Sequence, residues 1–185
     1  MMEFERLKID GLVLCKPQII KDERGFFAET FRKDLLEDFI SKKLDFCQNN
    51  SSESSFGVLR GLHFQTVPKA QTKIISVSRG EILDIVLDIR KDSATYGKHC
   101  SVILNDINNY QLFIPVGFAH GFVSLSNIVR LNYQVDNYYS SENEVGINPF
   151  DEDLKINWIL EKNQIIINDK DKSSKNLSKL PLYKF

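Results

Sequence analysis

Short apolar segments separated by turn residues recur along the whole chain. These segments are rich in β-branched and aromatic residues, and polar turn sequences such as RG, ND, NN and SSEN lie between them. Both features are typical of β-strands joined by hairpins. The pattern therefore predicts a mainly β protein with antiparallel pairing. The predicted strands cover 12–15, 26–31, 73–78, 81–90, 99–104, 111–115 and 129–135.

One helix is predicted at 33–42, where the apolar period changes. Leu35, Leu36, Phe39 and Ile40 fall on one face at helical spacing, and the charged residues of the segment fall elsewhere. About a dozen short strands with so little helix favour a β-sandwich or jelly roll over a doubly wound fold. A chain of 185 residues supplies one hydrophobic core well, so we expect a single domain over residues 1–185.

The predicted strand at 81–90 has two unlike faces. Its odd positions from 83 to 89 are all leucine or isoleucine, whereas its even positions include Asp84 and Asp88. This period of two fits a strand. We expect the charged face to lie in solvent; the alternative is a barrel whose interior is lined for a ligand.

Composition and charge exclude several classes of protein. Charges of both signs are mixed along the chain and sum to −1, which argues against a nucleic-acid partner. The N-terminus lacks the pattern of a signal peptide, and no apolar stretch is long enough to span a bilayer, so we expect a cytoplasmic protein without a membrane partner. Cys15, Cys47 and Cys100 form no CxxC pair, and we interpret them as reduced packing residues.

Two histidine segments carry the candidate chemistry. GVLRGLHFQ at 57–65 contains His63, and IPVGFAHGF at 114–122 contains His120. The second segment has the PxGxxH spacing of metal-binding cupin barrels, in which a His-x-His pair on an earlier strand completes the metal site. Here Phe64 and Gln65 follow His63, so the metal set is incomplete and we expect no metal. A lone histidine in an apolar strand can equally be a core residue.

Proton abstraction beside a ketone defines what a catalytic histidine would need. The base needs a pKa near the working pH, a neighbour that holds its tautomer, and a cation that stabilises the enolate oxygen. A histidine with a carboxylate behind it meets the first two needs, and a lysine meets the third.

Five segments together resemble the dTDP-4-dehydrorhamnose 3,5-epimerase family. They occur in the family's order and cover most of the chain. The segments are KDERGFFAETF at 21–31, GVLRGLHFQ at 57–65, IPVGFAHGF at 114–122, LNYQVDNYY at 131–139 and GINPFDEDLKINW at 146–158. The resemblance implies a cupin-like double-stranded β-helix, or jelly roll, with a few short helices, and a homodimer in which strands exchange between subunits.

The resemblance also implies the catalytic residues. His63 would abstract protons at C3 and C5 of the sugar, Tyr133 would return a proton from the other face, and Lys73 would stabilise the enolate. Asp171 in the segment INDKD is the best match to the carboxylate that pairs with His63, and Asp169 is the alternative. The residues that resemble substrate-binding groups are Arg24, Phe27, Glu29, Gln48, Asn50, Arg60, His120 and Tyr139.

The implied activity is epimerisation at C3 and C5 of dTDP-4-dehydro-6-deoxy-D-glucose, giving dTDP-4-dehydro-L-rhamnose without a cofactor. Alternatives within the family are a single-site epimerase or an epimerase of another nucleotide-linked 4-keto sugar, such as a GDP-4-keto-heptose. A ketoisomerase, a metal-dependent cupin oxygenase and a catalytically silent sugar-binding barrel fit the motifs less well. Pro149 stands where the family usually has a tryptophan, and it would affect substrate choice if its loop borders the pocket.

Overall fold

The computed structural model describes residues 2–185, which form thirteen strands and two short α-helices. The helices are α1 (Lys33–Ile40) and α2 (Asp169–Lys172). The strands are β1 (Glu3–Arg6), β2 (Val13–Lys16), β3 (Ile19–Asp22), β4 (Gly25–Ala28), β5 (Gln48–Ser54), β6 (Leu59–Gln65), β7 (Lys73–Arg79), β8 (Glu81–Asp88), β9 (His99–Asn105), β10 (Gln111–Ile114), β11 (Phe118–Ser124), β12 (Val129–Val135) and β13 (Glu144–Gly146).

The strands build two antiparallel sheets and a separate hairpin. Sheet 1 has the order β1-β2-β10-β7-β12-β5, and sheet 2 has the order β13-β6-β11-β8-β9. Strands β3 and β4 pair only with each other. The two facing sheets confirm the predicted mainly β jelly roll.

The predicted elements are confirmed with shifts at their ends. Helix α1 stops two residues before the predicted end because Ser41 takes a left-handed φ of 54° and caps the helix. The apolar segment at 26–31 forms a strand only as far as Ala28. Strand β5, with the sequence QNNSSES, carries no apolar signal and was not predicted.

The main hydrophobic core lies between the two sheets. Leu14 and Ile75 from sheet 1 pack against Val86 and Phe122 from sheet 2. Two further clusters cover the outer faces: α1 covers sheet 1, and the chain after β13, including Trp158, covers sheet 2. Each sheet is therefore buried on both faces over much of its area.

This double coverage overturns the expectation that the charged face of the segment at 81–90 lies in solvent. Asp84 and Asp88 are both fully buried. The odd face of β8 packs under the outer cluster, and its even face points between the sheets with Ile82 and Val86. This face therefore lies inside the barrel, as in the alternative, but neither aspartate lines the cavity between the sheets.

The cysteines follow the expectation only in part. Cys15 is buried, and burial raises the pKa of its thiol to about 12. Cys100 is half-buried, whereas Cys47 is exposed, so a packing role is wrong for Cys47. Across residues 2–185, no helix combines the length and the apolar character needed to cross a membrane.

Candidate active site

A cavity of about 440 Å³ opens between the two sheets at one end of the barrel. Because side chains alternate along a strand, residues two apart share the inner face. Strand β5 therefore presents Gln48 and Asn50 to the cavity, and β12, its neighbour, places Tyr133 opposite Asn50. Sheet 1 also contributes Lys73 from the start of β7. Sheet 2 contributes Arg60, His63, His120 and Glu144.

His63 and Asp171 form a close pair in the wall of the cavity. The Nε2 atom of His63 lies 2.7 Å from Oδ1 of Asp171, and the backbone N–H of Gly61 donates to Oδ2 at 3.0 Å. Asp171 is almost completely buried, whereas the His63 side chain keeps 26% of its surface exposed. The imidazole ring is thus accessible from the cavity, whereas its carboxylate partner is not.

Helix α2 decides which aspartate reaches His63. The side chain of Asn168 caps this helix by accepting a hydrogen bond from the backbone N–H of Asp171 at 2.7 Å. This geometry turns Asp171 towards β6, while Asp169 stays exposed. Of the two candidates left open by the sequence, Asp171 is the one that contacts the histidine.

The electrostatic setting keeps Asp171 ionised. Burial alone would raise the pKa of this carboxyl group, but hydrogen bonds from His63 and Gly61 hold it below its usual value. A carboxylate facing Nε2 favours the tautomer with the proton on that nitrogen. The Nδ1 atom of His63 is then left with a lone pair that can accept a proton.

Lys73 and Tyr133 on sheet 1 have perturbed proton affinities. Burial lowers the pKa of Lys73 to about 8, although the charges of Glu144 and Asp84 oppose this shift. Burial raises the pKa of Tyr133, so its phenol stays protonated at neutral pH. The cavity therefore combines a neutral proton donor, the Tyr133 phenol, with an ammonium group on Lys73 that loses its proton more readily than an exposed lysine does.

His120 lies beside His63, in the paired strand β11. The two histidines are partners in the β6–β11 ladder. The Nε2 atom of His120 lies 2.7 Å from Oδ2 of the buried Asp84. The cavity thus contains two histidine–aspartate pairs on neighbouring strands.

Of the predicted nucleotide-side residues that reach the cavity, Gln48, Asn50 and Tyr139 are joined by hydrogen bonds, whereas Arg60 bonds to other residues. Gln48 donates to Oδ1 of Asn50 at 2.8 Å and accepts from the backbone N–H of Tyr139 at 3.1 Å. Arg60 donates to Ser54 at 3.1 Å. These contacts orient amide, guanidinium and aromatic groups around the mouth of the cavity.

Arg24, Phe27 and Glu29 lie away from this cavity within one chain. They belong to the β3–β4 hairpin and the residues after it, which pair with neither sheet. The Arg24 side chain is 83% exposed and bonds only to Asp22 among the described residues, and Phe27 is 68% exposed. A single protomer does not bring these three residues to the other site residues.

Glu144 is a cavity residue that sequence reasoning missed. It accepts hydrogen bonds from the Tyr139 hydroxyl at 3.1 Å and from the Lys170 ammonium group. Its pKa is lowered because the hydrogen bond from Lys170 and the proximity of His63 outweigh burial. Its position depends on β13 pairing with β6, and a three-residue strand gives no periodic signal.

The Pro149 loop does not line this cavity. Pro149 is buried, and its carbonyl oxygen accepts a hydrogen bond from the Trp158 indole at 2.8 Å. The proline therefore packs behind sheet 2 and does not line the cavity in which a substrate would bind.

In residues 2–185 no group of three or more His, Cys, Asp or Glu side chains is placed to hold a metal ion.

The fold and this cavity define a jelly-roll enzyme of the proton-transferring, isomerase class. A histidine with its own carboxylate shares the cavity with a half-buried lysine and a protonated tyrosine, a set of groups suited to the interconversion of stereoisomers beside a ketone. The chain belongs to the dTDP-4-dehydrorhamnose 3,5-epimerase family, whose sequence profile matches residues 6–179.

Curated relatives and solved structures agree with this family. The chain is 43% identical to a dTDP-4-dehydrorhamnose 3,5-epimerase of Methanothermobacter thermautotrophicus over 99% of this chain and 100% of that one. It is 38% identical to the enzyme of the same name from Escherichia coli, over 97% and 96% of the two chains. A Legionella pneumophila dTDP-6-deoxy-D-glucose-3,5-epimerase, solved with dTDP-4-keto-L-rhamnose, superposes with a TM-score of 0.95 at 39% identity and covers 100% of this chain and 99% of its own.

Proposed function

We propose that this protein inverts C3 and C5 of dTDP-4-dehydro-6-deoxy-D-glucose and forms dTDP-4-dehydro-L-rhamnose by proton transfer between side chains, without a metal or other cofactor. The observation that carries the proposal is the placement of His63 and Tyr133 on opposite sheets that face one cavity, with Lys73 in its wall. Bound dTDP-4-keto-L-rhamnose in the Legionella relative supports the substrate class.

In the proposed reaction His63 accepts the proton from a carbon next to the ketone through Nδ1. Asp171 stabilises the imidazolium that forms, and the Lys73 ammonium group stabilises the enolate oxygen. The Tyr133 phenol then donates a proton from the opposite face of the ring, which inverts the carbon. The same steps at the second α-carbon require His63 and Tyr133 to exchange their protons with solvent in between.

The nucleotide would bind at the mouth of the cavity. Arg60 supplies a guanidinium group for the diphosphate, since arginine forms charge-assisted hydrogen bonds with phosphate oxygens. Gln48, Asn50 and Tyr139 offer amide groups and an exposed aromatic ring for the sugar and base. His120 supports the keto sugar further inside the cavity.

Solvent exchange tests this proposal directly. Proton NMR of the protein with dTDP-4-keto-6-deoxyglucose in heavy water should show deuterium entering at both C3 and C5. The variants His63→Asn and Tyr133→Phe should fold normally and lose about 10²-fold to 10⁴-fold in turnover, because each lacks a proton-transfer group. An unlabelled product would contradict the mechanism.

The remaining outcomes of this experiment separate the alternatives. Exchange at one carbon only would identify a single-site epimerase. No exchange, together with turnover of another nucleotide-linked 4-keto sugar such as a GDP-4-keto-heptose, would change the substrate. Binding of the sugar without exchange at either carbon would identify a sugar-binding barrel.

We also propose that the protein is a homodimer in which the β3–β4 hairpin of one protomer completes the cavity of its partner. The hairpin exposes three large apolar side chains, Ile20, Phe26 and Phe27, each more than half accessible. Apolar surface of this kind is unfavourable in water and marks an interaction site. The same hairpin carries Arg24 and is followed by Glu29, the site residues that a single protomer leaves outside its own cavity.

Mixed dimers test this exchange. His63→Asn damages the cavity, whereas Arg24→Ala damages the hairpin. When the two variants are coexpressed, each mixed dimer should have one intact site. At random assortment about half of the dimers are mixed, so about a quarter of all sites, and of the wild-type activity, should be recovered. Coexpression of His63→Asn with Tyr133→Phe is the matched control and should recover nothing, because both changes affect the cavity of their own chain. A monomer in light scattering, or dimers without recovery in the first pair, would refute the exchange.

The cellular setting and the domain organisation are part of the same proposal. We infer that residues 1–185 work as one domain in the cytoplasm. The unpaired Cys15, Cys47 and Cys100 support this location, because free thiols persist in reducing compartments. Cell fractionation with an antibody against the protein would test it.

A further inference from the structure

Asp84 is an ionisable residue in the barrel wall that the mechanism above does not use. It lies in the middle of β8 on the inner face and is fully buried. Oδ2 receives a hydrogen bond from Nε2 of His120 at 2.7 Å. Oδ1 is buried and has no hydrogen-bond partner among residues 2–185.

Packing alone gives no reason for a carboxylate at this position. The residues on either side on the same face of β8 are Ile82 and Val86, which belong to the core between the sheets. Burying a carboxylate with half of its hydrogen-bonding capacity unused is unfavourable unless a cation compensates for it. The nearby groups that can carry positive charge are His120, in direct contact, and Lys73, whose pKa Asp84 raises.

The contact with Asp84 also fixes which nitrogen of His120 remains for a ligand. Because Nε2 faces the carboxylate, Nδ1 is the ring nitrogen that can interact with a substrate in the cavity that His120 lines. To donate a hydrogen bond from Nδ1 as well, His120 must be an imidazolium, and a carboxylate 2.7 Å from Nε2 stabilises that form. His63 faces a carboxylate at the same distance, but Asp171 also accepts from the backbone N–H of Gly61, whereas Oδ1 of Asp84 has no partner among residues 2–185. More of the charge of Asp84 is therefore left for its histidine to compensate.

We propose that Asp84 is a positioning residue of the epimerase site, which holds His120 as an imidazolium whose Nδ1–H hydrogen-bonds the ketone oxygen as the enolate forms. This inference rests on the proposed function. His63 removes the proton, and His120 acts beside Lys73 as a second donor to the oxygen on which negative charge develops. Two donors share that charge, as in an oxyanion hole.

Replacing Asp84 by asparagine separates charge from shape. Asp84→Asn keeps the size of the side chain and an oxygen that can accept from Nε2, but it removes the negative charge. Removal of one oxyanion donor typically costs about 10²-fold to 10³-fold in kcat, and we expect about 10-fold to 10²-fold here because Lys73 remains. KM should change by less than about threefold, since the interaction is made mainly in the transition state. An unchanged kcat would overturn the proposal.

Asp88→Asn is the matched control. Asp88 lies on the same face of the same strand, is fully buried and accepts from Arg90, Ser93 and Thr95 rather than from a cavity residue. This variant should lower the melting temperature without lowering kcat at temperatures where it is folded. Equal losses of kcat in both variants would attribute the effect of Asp84 to structure alone and would overturn its positioning role.

A second measurement does not depend on the substrate. Nitrogen-15 NMR of the imidazole rings at pH 7, assigned with a His120→Gln variant, should show both nitrogens of His120 protonated in the wild type and only Nε2 protonated in Asp84→Asn. Identical His120 signals in the two proteins would overturn the proposal. If the wild type turns over no 4-keto sugar, the proposed function fails, and the NMR comparison alone decides whether Asp84 holds His120 as inferred.

Discussion

The role proposed for Lys73 requires a positive charge, yet this residue lies in a cavity wall that disfavours charge. Burial lowers its pKa to about 8, below the value of about 10.4 for a lysine in an unfolded chain. At neutral pH the ammonium form still dominates. Because this ammonium group is poorly solvated, an oxyanion beside it would interact strongly with its charge.

The pH dependence of kcat/KM should reveal this lysine, because kcat/KM reports the proton affinities of the free enzyme. We expect kcat/KM to fall as the pH rises through about 8, where Lys73 loses its proton. Lys73→Arg should be slower at neutral pH but should lack this decline, because a guanidinium group stays charged. Stopped assays across pH 6.5 to 9.5, a range of about three units around that value, would measure it. An alkaline decline with the same midpoint in Lys73→Arg would assign it to another group.

The same shift has a defined effect on stability. Between about pH 8 and about pH 10.4 the unfolded chain keeps the Lys73 proton while the folded chain has lost it. The unfolded state then binds more protons, so the contribution of this residue to the free energy of unfolding rises with pH across that window. Urea unfolding of the wild type and Lys73→Met would show the difference in slope.

The carboxylate partner of the base marks the limit of prediction at the level of single residues. The motif around His63 and the positions of Lys73 and Tyr133 could be predicted from the sequence. The family resemblance already favoured Asp171 over Asp169, but the polar stretch has no period that could decide between them. The cap formed by Asn168 settles it, and such a cap is recognised only once the helix is known.

At the level of elements, β6 and β11 approach each other more closely than side chains would allow. A Cβ atom at Gly61 would lie 2.6 Å from Cα of Gly121 and 2.7 Å from the carbonyl oxygen of His120. The ladder changes register between His120 and Phe122. These glycines therefore let the two histidine strands pack with His63 directly opposite His120.

Gly61→Ala should be strongly destabilising. It combines a backbone clash with a φ of +116°, and we expect a loss of about 2–5 kcal/mol from strain and overpacking together. Gly25→Ala is the matched control, since Gly25 has a φ of +125° and nothing within 4 Å of the added Cβ. This control should lose only the strain energy, about 1–3 kcal/mol. Urea unfolding would compare the free energies of unfolding of the two variants. Equal losses would show that the added Cβ atom between β6 and β11 causes no destabilisation beyond backbone strain.

Strand β5 shows why some strands cannot be predicted from a pattern of hydrophobic residues. Its inward side chains, including Gln48 and Asn50, are polar because they line the cavity. A strand with one face in water and the other in a hydrated site has no apolar alternation to detect. The polar face of β8 misled for a related reason, since a carboxylate such as Asp84 has the same appearance in sequence whether it meets solvent or a buried histidine. The rule of apolar alternation therefore failed at these two strands, where polar side chains face the interior.

At the level of the whole molecule, the part of the chain after β13 covers the outer face of sheet 2. Isolated parallel bridges join Val58 to Ile166, Ile147 to Lys175 and Arg90 to Tyr183. The sequence predicted the two-sheet class, since alternation and turns are local. It did not predict this covering, because the polar segment at 169–179 hides the buried residues Asp171 and Leu177.

The late position of Asp171 has a consequence for how the protein comes into being. The pairing of His63 with Asp171 joins residues 108 positions apart, and β13, the last strand of either sheet, ends at Gly146. A ribosome makes the chain from its N-terminus, so every strand of both sheets is synthesised before Asp171. The contact between His63 and Asp171 can therefore form only after the last strand has been made.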